Sequence, residues 1–495
     1  MSERRTEFEA LHGDTGNIGA PTVEDQINAI GMGRFQYFLL FIFALMVITD
    51  GMEMVVISLL YSALHTEWGL SELEEGLLAS VIFTGFLFGN LVGGYLGDVW
   101  GRRNTLVLSG VLFLIAATLS AFSPDLITLC ILRMFVGFAV GCKLPVSMTI
   151  LVELTPSKSR GFYGMALSGF AFSAGEMFVC LAGIIIHTLD TSPDWWRTLL
   201  IACVLPDIIA VPLVWFYMPE SPHFLLTQGR EDELDALLEE VAVVNTGSRS
   251  ALLQDGRVRH VHHEEAPRDS WLVLDLFSSK LRSITTFMMI IWFVCCFTYY
   301  GHVFIYPIAL EQRYHMQLEN AFFAVFLSSL AEIPGVILGI MIVDMEGVGR
   351  RRSILVFFIA ASLMALVVPY FTESTDFLIG NMVLKSLINT PFCILYVFAA
   401  ELFPTTHRAS GIAFCSASSR VAGALSPLVT AWALTQSVDI TYDIFALAMA
   451  LGALASISYE YETSQAQLPE YMDDAFDNTH KSKKAEERPL LSNRA

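Results

Sequence analysis

Charged residues are scarce in this sequence. Asp, Glu, Lys and Arg make up 16% of its 495 residues, whereas a soluble domain usually carries about 25%. Hydrophobic residues make up 54%, and the mean hydropathy is +0.56. This composition excludes an ordinary soluble protein and favours a chain that lies mostly in a membrane.

Several chemical signatures are also missing. The eight cysteines all fall within apolar stretches and form no C-x-x-C pattern, so we expect neither a metal site nor a disulfide-stapled extracellular domain. The motif G-x-x-x-x-G-K-[ST] is absent, which argues against ATP-driven pumping. No nucleophile–base set stands out, so the sequence predicts no enzyme and no cofactor. The net charge of −20 gives no reason to expect a nucleic-acid partner.

What the sequence does contain is long apolar runs, each near the ~20 residues that a helix needs to cross a bilayer. We predict twelve spans, numbered in chain order, at residues 36–59, 76–97, 104–122, 127–151, 162–187, 198–217, 284–309, 321–343, 354–371, 377–400, 411–435 and 441–459. Helices are expected because lipid offers backbone groups no hydrogen-bond partners. The polar start of the chain predicts no cleavable signal peptide. The predicted fold class is therefore an all-α, multi-pass protein of the lipid bilayer.

The positions of Lys and Arg predict the orientation of these spans. With the N-terminus in the cytoplasm, 23 of the 29 Lys and Arg residues fall in inside segments and 2 fall in outside loops. Because cytoplasmic loops carry the excess of basic residues, we expect both termini to be cytoplasmic.

Two charged motifs occur once in each half of the chain. E-L-x-P-x-x-x-R follows spans 4 and 10, from Glu153 to Arg160 and from Glu401 to Arg408. A second motif follows spans 2 and 8, with the residues Asp98, Gly101, Arg102 and Arg103 in one copy and Asp344, Gly349, Arg350, Arg351 and Arg352 in the other. Span 2 thus matches span 8 and span 4 matches span 10, which predicts two pseudo-symmetric six-helix bundles with a site between them. The predicted divisions are an N-tail (1–33), an N-terminal bundle (34–222), a cytoplasmic linker (223–282), a C-terminal bundle (283–460) and a C-tail (461–495).

These motifs carry a resemblance to a known family. The loop G-x-L-x-D-x-x-G-R-R after span 2 resembles the signature loop of the major facilitator superfamily. Pro219-Glu-Ser-Pro222 after span 6 and Arg133-x-x-x-Gly137 in span 4 resemble its sugar-porter-related branch. Asp50-Gly-Met-Glu53, E-L-F-P-T-T-H-R and Arg420 resemble the synaptic-vesicle-type and SVOP-like transporters and the niacin, aromatic-acid and organic-ion porters. The resemblance covers residues 34–460 and implies a secondary transporter that works by alternating access.

The charged motifs at the cytoplasmic face are candidates for a gate. We expect Asp98 to pair with arginine and to accept from backbone N–H groups at a helix N-terminus. Glu153 with Arg160, and Glu401 with Arg408, are expected to form latches that hold the bundles closed and break when the transporter opens inward. The alternative is that the arginines only anchor the topology.

Nine charged residues are predicted inside the bilayer, where one charge costs on the order of 2.5–3.5 kcal/mol. They are Asp50, Glu53, Arg133, Lys143, Glu176, Asp207, Glu332, Lys385 and Arg420. Estimated depth places Asp50 of span 1 near Arg133 of span 4, and in proton-coupled sugar porters such a pair controls coupling. We therefore predict that Asp50 and Arg133 form a pair that opens when a proton is taken up, with Glu53 as a second proton candidate. A permanent structural ion pair is the alternative.

The remaining charges and an aromatic cluster are candidates for the substrate site. Arg420 and Lys143 could each bind a substrate carboxylate, or could instead neutralise Glu176 or Glu332. Tyr299 and Tyr300 of span 7 are expected to shape a pocket for an aromatic or amphipathic substrate, with core packing as the alternative. Sugar porters carry Gln-Gln in span 7, which this chain lacks, so hexose transport is not expected.

The sequence thus favours a proton-coupled transporter of a small organic anion or aromatic carboxylate. Organic-cation exchange that uses acids such as Glu53, Glu176 and Glu332 is one alternative, and a non-transporting vesicle-membrane regulator of the same fold is another. The C-tail contains E-x-x-x-L-L at Glu486, Leu490 and Leu491, which resembles a sorting signal. We therefore expect the protein in the plasma membrane or in an endosomal, lysosomal or vesicle membrane, with a sorting adaptor as a possible partner.

Overall fold

The computed structural model describes residues 22–190, 192–249, 252, 276–279, 281–343, 345, 348–403 and 408–459, without a few side chains inside helices. Regular structure in these residues is entirely helical, which confirms the all-α prediction. Asp344, Glu486, Leu490 and Leu491 lie outside the described residues, as do the side chains of Arg160 and Arg408.

The helices follow the predicted spans closely. In chain order, spans 1 to 12 are Arg34–Leu59; Glu72–Trp100; Arg102–Ser120; Leu126–Leu154; Ser157–Ala166 with Leu167–Ala171 and Phe172–Leu189; Trp195–Ala202 with Leu205–Tyr217; Arg282–Tyr314; Leu318–Leu330 with Glu332–Val343; Gly349–Val367; Ser374–Leu402; Arg408–Leu434; and Val438–Ser458. Shorter helices are Val23–Ile30, Tyr61–Trp68, Pro222–Thr227 and Glu231–Thr246. Among the described residues, 11 helical stretches are long and apolar enough to cross a membrane. The predicted span that is not among these 11 is span 11. It has 27 residues, but its serines and Arg420 lower its mean hydropathy.

Capping side chains fix where several spans begin. Asp125 accepts from the backbone N–H of Thr128 at 2.8 Å at the start of span 4, and Ser437 accepts from that of Ile440 at 3.2 Å at the start of span 12. A helix leaves its first N–H groups without partners, so a side-chain acceptor at this position stabilises the start by roughly 1 kcal/mol.

Glycines bring spans of the N-terminal bundle into backbone contact. A Cβ atom on Gly89 of span 2 would lie 2.1 Å from the carbonyl oxygen of Phe138, and one on Gly137 of span 4 would lie 2.0 Å from that of Ile82. Between spans 1 and 5, a Cβ on Gly51 would lie 2.2 Å from the carbonyl oxygen of Phe172. Small residues at these positions let helices pack closely in lipid, where no hydrophobic effect draws them together.

Three spans depart from a regular α-helix near charged residues. Span 5 contains a π-helical turn at Leu167–Ala171, which ends five residues before Glu176. Span 6 is interrupted between Ala202 and Leu205, and span 8 is interrupted immediately before Glu332. Such interruptions are common where a membrane helix lines a functional site.

Candidate functional site

Five buried ionisable side chains form one network inside the N-terminal bundle, which we call the bundle network. Arg133 Nη1 lies 2.6 Å from Glu53 Oε2. Lys143 Nζ lies 2.8 Å from Asp207 Oδ2 and 3.1 Å from Asp50 Oδ1. Each of the five is at most 4% exposed. Three carboxylates face two bases, so the network carries one excess negative charge when all five groups are ionised.

The predicted pairing of Asp50 with Arg133 is wrong. Arg133 pairs with Glu53, and Asp50 contacts Lys143. Spans 1 and 4 run in opposite directions, so the later acid of span 1 meets the earlier base of span 4. Asp50 and Glu53 are only ~4.5 Å apart along their helix, and the long side chains of Arg133 and Lys143 decide the pairing.

Asp50 is held less firmly than its neighbours in the bundle network. Asp207 accepts from Lys143 and from Thr49 Oγ1 at 3.3 Å, whereas Asp50 Oδ1 has no hydrogen-bond donor within the described part of the chain. Its contact with Lys143 is the longer of the two that this lysine makes, 3.1 Å compared with 2.8 Å to Asp207. Of the two carboxylates that share Lys143, Asp50 therefore has the weaker contacts.

A second network, which we call the interface network, joins the two bundles. Glu176 of span 5 lies in the N-terminal bundle, and Tyr299, Glu332 and Lys385 come from spans 7, 8 and 10 of the C-terminal bundle. Lys385 Nζ lies 2.5 Å from Glu176 Oε2 and 3.1 Å from Glu332 Oε1. Tyr299 Oη lies 2.9 Å from Glu176 Oε1 and 2.8 Å from Glu332 Oε1. The structure thus brings together three of the residues proposed for substrate binding.

Arg420 stands apart from both networks. Its guanidinium lies 3.8 Å from the centre of the Phe86 ring, across the interface between spans 11 and 2. The Asn90 amide, turned so that its oxygen faces Arg420, accepts from Nε at 3.2 Å. No carboxylate among the described residues lies within ion-pair distance of Arg420, although its side chain is buried. Arg133, Lys143 and Lys385 each have such a partner, and Lys143 therefore belongs to the bundle network.

Tyr300 lies at the same interface as Arg420. Its ring centre is 4.5 Å from that of Phe83 of span 2 and 5.4 Å from that of Tyr299. Nearby, Ser80 Oγ donates to the carbonyl oxygen of Ala424 at 2.6 Å. Aromatic rings and a cation therefore line the contact between spans 2, 7 and 11.

The motif after span 2 builds a charged cluster at the predicted cytoplasmic face. Arg102 lies 3.3 Å from Asp98 and 3.7 Å from Glu153. Its backbone N–H donates to Glu220 Oε1 at 2.8 Å, and Ser221 Oγ bonds Glu153. The pairing of Asp98 with arginine is confirmed, but the carboxylate at the start of span 3 is that of Glu220. Sequence reasoning missed this role, although Glu220 lies in the quoted P-E-S-P motif.

The matching cluster of the C-terminal bundle also pairs an arginine with its latch acid. Arg350 lies 3.0 Å from Glu401, and Arg351 Nη1 donates to the carbonyl oxygens of Ser456 at 3.0 Å and Tyr459 at 2.8 Å. Both described latch acids, Glu153 and Glu401, thus pair with arginines of their own bundle. Arg103 anchors to the Trp215 carbonyl, and Gly101 adopts a φ of 101° beside the Glu220 carboxylate.

Contacts between the bundles also occur at the opposite face. They join span 5 to the start of span 8. They also join the short helix Tyr61–Trp68, which follows span 1, to the end of span 7. The contacts are His187 Nδ1 with Glu319 Oε1 at 2.8 Å, Ser62 Oγ with Glu311 Oε1 at 2.8 Å, and Gln312 Nε2 with Tyr61 Oη at 3.0 Å. The two bundles therefore contact each other at this face.

The comparison with protein families identifies the chain. Residues 19–474 match the model of the family "Sugar (and other) transporter". The chain belongs to this family. It is a membrane transporter of the major facilitator superfamily, and the predicted resemblance to that superfamily is confirmed.

Curated relatives of this family member extend over nearly its whole length. The synaptic vesicle 2-related protein of Xenopus laevis is 29% identical over 94% of this chain and 87% of its own. The organic cation/carnitine transporter 7 of Arabidopsis thaliana is 28% identical over 82% of this chain and 87% of its own. The resemblance to SVOP-like proteins is thereby confirmed.

Solved structures agree on the fold of this transporter. The xylose transporter XylE from E. coli, in a partially occluded inward-open conformation, superposes with a TM-score of 0.70 and 19% identity over 88% of this chain and 100% of that chain. The two six-helix bundles predicted from the sequence are the architecture of this superfamily, in which alternating access operates.

Proposed function

We propose that the protein moves a small organic anion together with protons, and that Arg420 binds the anion. The observation that supports this most is the isolation of Arg420 at the bundle interface. The other three buried bases each contact at least one carboxylate, whereas Arg420 has only the Asn90 amide and the Phe86 ring as described partners. A buried cation without a counter-charge is unfavourable unless an anion joins it, and a guanidinium binds carboxylates through two parallel hydrogen bonds.

The neighbouring aromatic rings favour an aromatic carboxylate within this class. Tyr300 and Phe83 pack beside the contact of Arg420 with Phe86. A flat apolar body with one carboxylate would stack on these rings while its charge meets Arg420.

We assign proton coupling to Asp50 within the bundle network. When Asp50 is protonated, Lys143 keeps Asp207 as its partner and the network becomes neutral. When Asp50 loses the proton, it competes with Asp207 for Lys143. Glu53 and Arg133 act in this proposal as the fixed pair that holds spans 1 and 4 in register.

Uptake into liposomes containing the purified protein tests both assignments. The assay uses nicotinate and benzoate as anions, with a quaternary ammonium compound and xylose as comparisons, with and without an inward proton gradient. A charge-assisted hydrogen bond contributes about 1.5–3 kcal/mol, so Arg420→Gln should lower apparent affinity for the anion by about 10- to 100-fold. Arg420→Lys should fall in between, and Arg230→Gln, which removes an exposed arginine paired with Glu233, should have no effect.

Two outcomes would contradict the proposal. Equal effects of Arg420→Gln on anions and cations would make Arg420 a structural residue. Uptake by Asp50→Asn that still responds to the proton gradient would remove Asp50 from the coupling step.

Organic-cation transport is the second candidate function. Two carboxylates and a tyrosine meet at the interface network, and one curated relative is named as an organic cation/carnitine transporter. Uptake of the quaternary ammonium compound that is lost in Glu332→Gln but kept in Arg420→Gln would favour this function.

We further propose that the clusters around Arg102 and Arg350 belong to a cytoplasmic gate, with both termini on that side. The excess of Lys and Arg in the segments on this side supports the orientation. The similarity to the synaptic vesicle 2-related protein supports a vesicle membrane as the proposed location. Glycosylation acceptor sites inserted at residues 70 and 193 should be modified, and sites at residues 155 and 405 should not.

A further inference from the structure

At Tyr299 the interface network has one more hydrogen-bond contact than the available hydrogen can supply when both carboxylates are ionised. Tyr299 Oη is within 2.9 Å of one oxygen of Glu176 and one of Glu332. A phenol carries one hydrogen, and an ionised carboxylate can only accept. Tyr299 can therefore donate to one carboxylate only. In the second contact two oxygens face each other, and that contact is favourable only when the carboxyl group carries the hydrogen.

The other donors of the network do not remove this shortage. Lys385 donates to Glu176 Oε2 and to Ser329 Oγ, and its Nζ also lies 3.1 Å from Glu332 Oε1. Ser173 Oγ lies 2.6 Å from Glu332 Oε2. None of these hydrogens lies between Tyr299 and its second carboxylate. The shortage is therefore one proton.

The charge balance of the interface network independently indicates one additional proton. Two carboxylates face one ammonium group, and all three side chains are at most 2% exposed. Burying an unpaired charge costs several kcal/mol, so two carboxyl groups that share one site tend to hold one proton between them. Loss of the lysine proton instead would leave both carboxylates without a counter-charge.

We propose that Glu176 and Glu332 bind one proton jointly, through Tyr299, and that this proton joins the two bundles. Glu176 belongs to span 5 and Glu332 to span 8, so the shared proton bridges elements that separate when the transporter changes conformation. The proton comes from the aqueous phase and returns to it, and no other bond changes. Without it, two carboxylates compete for Lys385 and repel one another, which favours separation of spans 5 and 8. The inference rests on the proposed function only in linking this proton to transport.

Other ionisable groups lie near the site on spans 1, 5, 7 and 10. Span 1, which packs against span 5, contributes Asp50 and Glu53, but these face Lys143 and Arg133 in the bundle network. The groups in electrostatic contact with the interface network itself are Cys180 of span 5, His302 of span 7 and Cys393 of span 10. The substitutions below therefore test the two glutamates separately from the groups around them.

Infrared spectroscopy of the protein in lipid tests the presence of the proton without any transport. A protonated carboxyl group has a carbonyl stretching band that is separate from carboxylate bands and shifts in heavy water. We expect Glu176→Gln and Glu332→Gln each to remove the area of one such band, because the remaining glutamate then pairs with Lys385. Tyr299→Phe should keep the area and shift the frequency. Glu233→Gln, at an exposed pair with Arg230, should change nothing in this band.

Hydrogen–deuterium exchange tests whether the proton joins the bundles. In the wild type, protection of the ends of spans 5 and 8 near His187 and Glu319 should fall as pH rises, after correction for intrinsic exchange rates. In Glu332→Gln this pH dependence should shrink to the part that the His187–Glu319 pair contributes. Full band area in both glutamine variants would overturn the inference, and so would wild-type protection that is independent of pH.

The same experiments separate this inference from the proposed function. Loss of the band in both glutamine variants without any proton-driven uptake would leave the shared proton in place and remove the proposed function. Proton-driven uptake that needs Asp50, with an unchanged band in both glutamine variants, would support the proposed function and overturn the shared proton.

Discussion

The pair formed by Glu53 and Arg133 permits a quantitative test of which side chains pair with each other in the bundle network. Both side chains are fully buried, and the two charged atoms are 2.6 Å apart. Arg133 Nε and Nη2 have no hydrogen-bond acceptor in the described chain, so Glu53 is the only described carboxylate that neutralises this guanidinium. Removing one partner of such a pair typically costs about 3–5 kcal/mol, because the other charge stays buried and unpaired.

We therefore expect Glu53→Gln and Arg133→Met each to lower the free energy of unfolding by about 3–5 kcal/mol. The double variant should lose far less than the sum of the two, with a coupling energy of at least ~2 kcal/mol. The corresponding cycle for Asp50→Asn and Arg133→Met should give less than ~1 kcal/mol, because these side chains contact different partners. Reversible unfolding by dodecyl sulfate in mixed micelles, followed by tryptophan fluorescence, gives the required free energies.

The control for this experiment is Glu74→Gln, which changes an acid at the exposed start of span 2 and should cost at most ~1 kcal/mol. A larger coupling energy for Asp50 with Arg133 than for Glu53 with Arg133 would refute the pairing argued above. It would mean that the pair predicted from estimated depth forms after all.

Further predictions concern packing and anchoring. Gly137→Ala should force spans 2 and 4 apart and abolish monodisperse protein in size-exclusion chromatography, whereas Gly94→Ala, with no atom within 4 Å of the added Cβ, should behave as the wild type. Glu220→Ala removes the acceptor for the N–H groups of Arg102 and Arg103 and should lower unfolding free energy by about 1–3 kcal/mol, while Glu220→Gln should recover part of the loss. Asn245 bonds Gly31, Phe35 and Gln36, so Asn245→Ala should speed proteolytic cleavage before span 1, and a cleavage rate equal to that of the wild type would contradict this role.

The membrane helices could be predicted from the sequence because lipid imposes a simple rule. A helix that crosses the bilayer must be mostly apolar, and this signal survives even in span 2, whose first turn contains Glu72, Glu74 and Glu75. The repeated motifs after spans 2 and 8 gave the two-bundle architecture for a similar reason. In both halves their charges cluster at the end of a span, and this can be read without the details of packing.

Pairing inside the membrane could not be predicted with the same success. Asp50 and Glu53 lie on one face of span 1, and Lys143 reaches across to both Asp50 and Asp207. An error of a few residues in the ends of a span exceeds the separation of the two acids. The position of Arg420 against Phe86 depends on how spans of different bundles meet, which no local pattern in the sequence records.

The π-helical turn at Leu167–Ala171 has a consequence for how this chain is aligned with its relatives. A π-turn accommodates one additional residue, and one residue corresponds to roughly 100° of rotation about a helix with 3.6 residues per turn. The helical segment before the turn, Ser157–Ala166, is therefore rotated about the helix axis relative to Glu176, compared with an uninterrupted helix. Homology models that copy a straight fifth helix would carry this angular error into every residue between the charged motif and the bundle interface. A single-residue gap placed within Leu167–Ala171 corrects it.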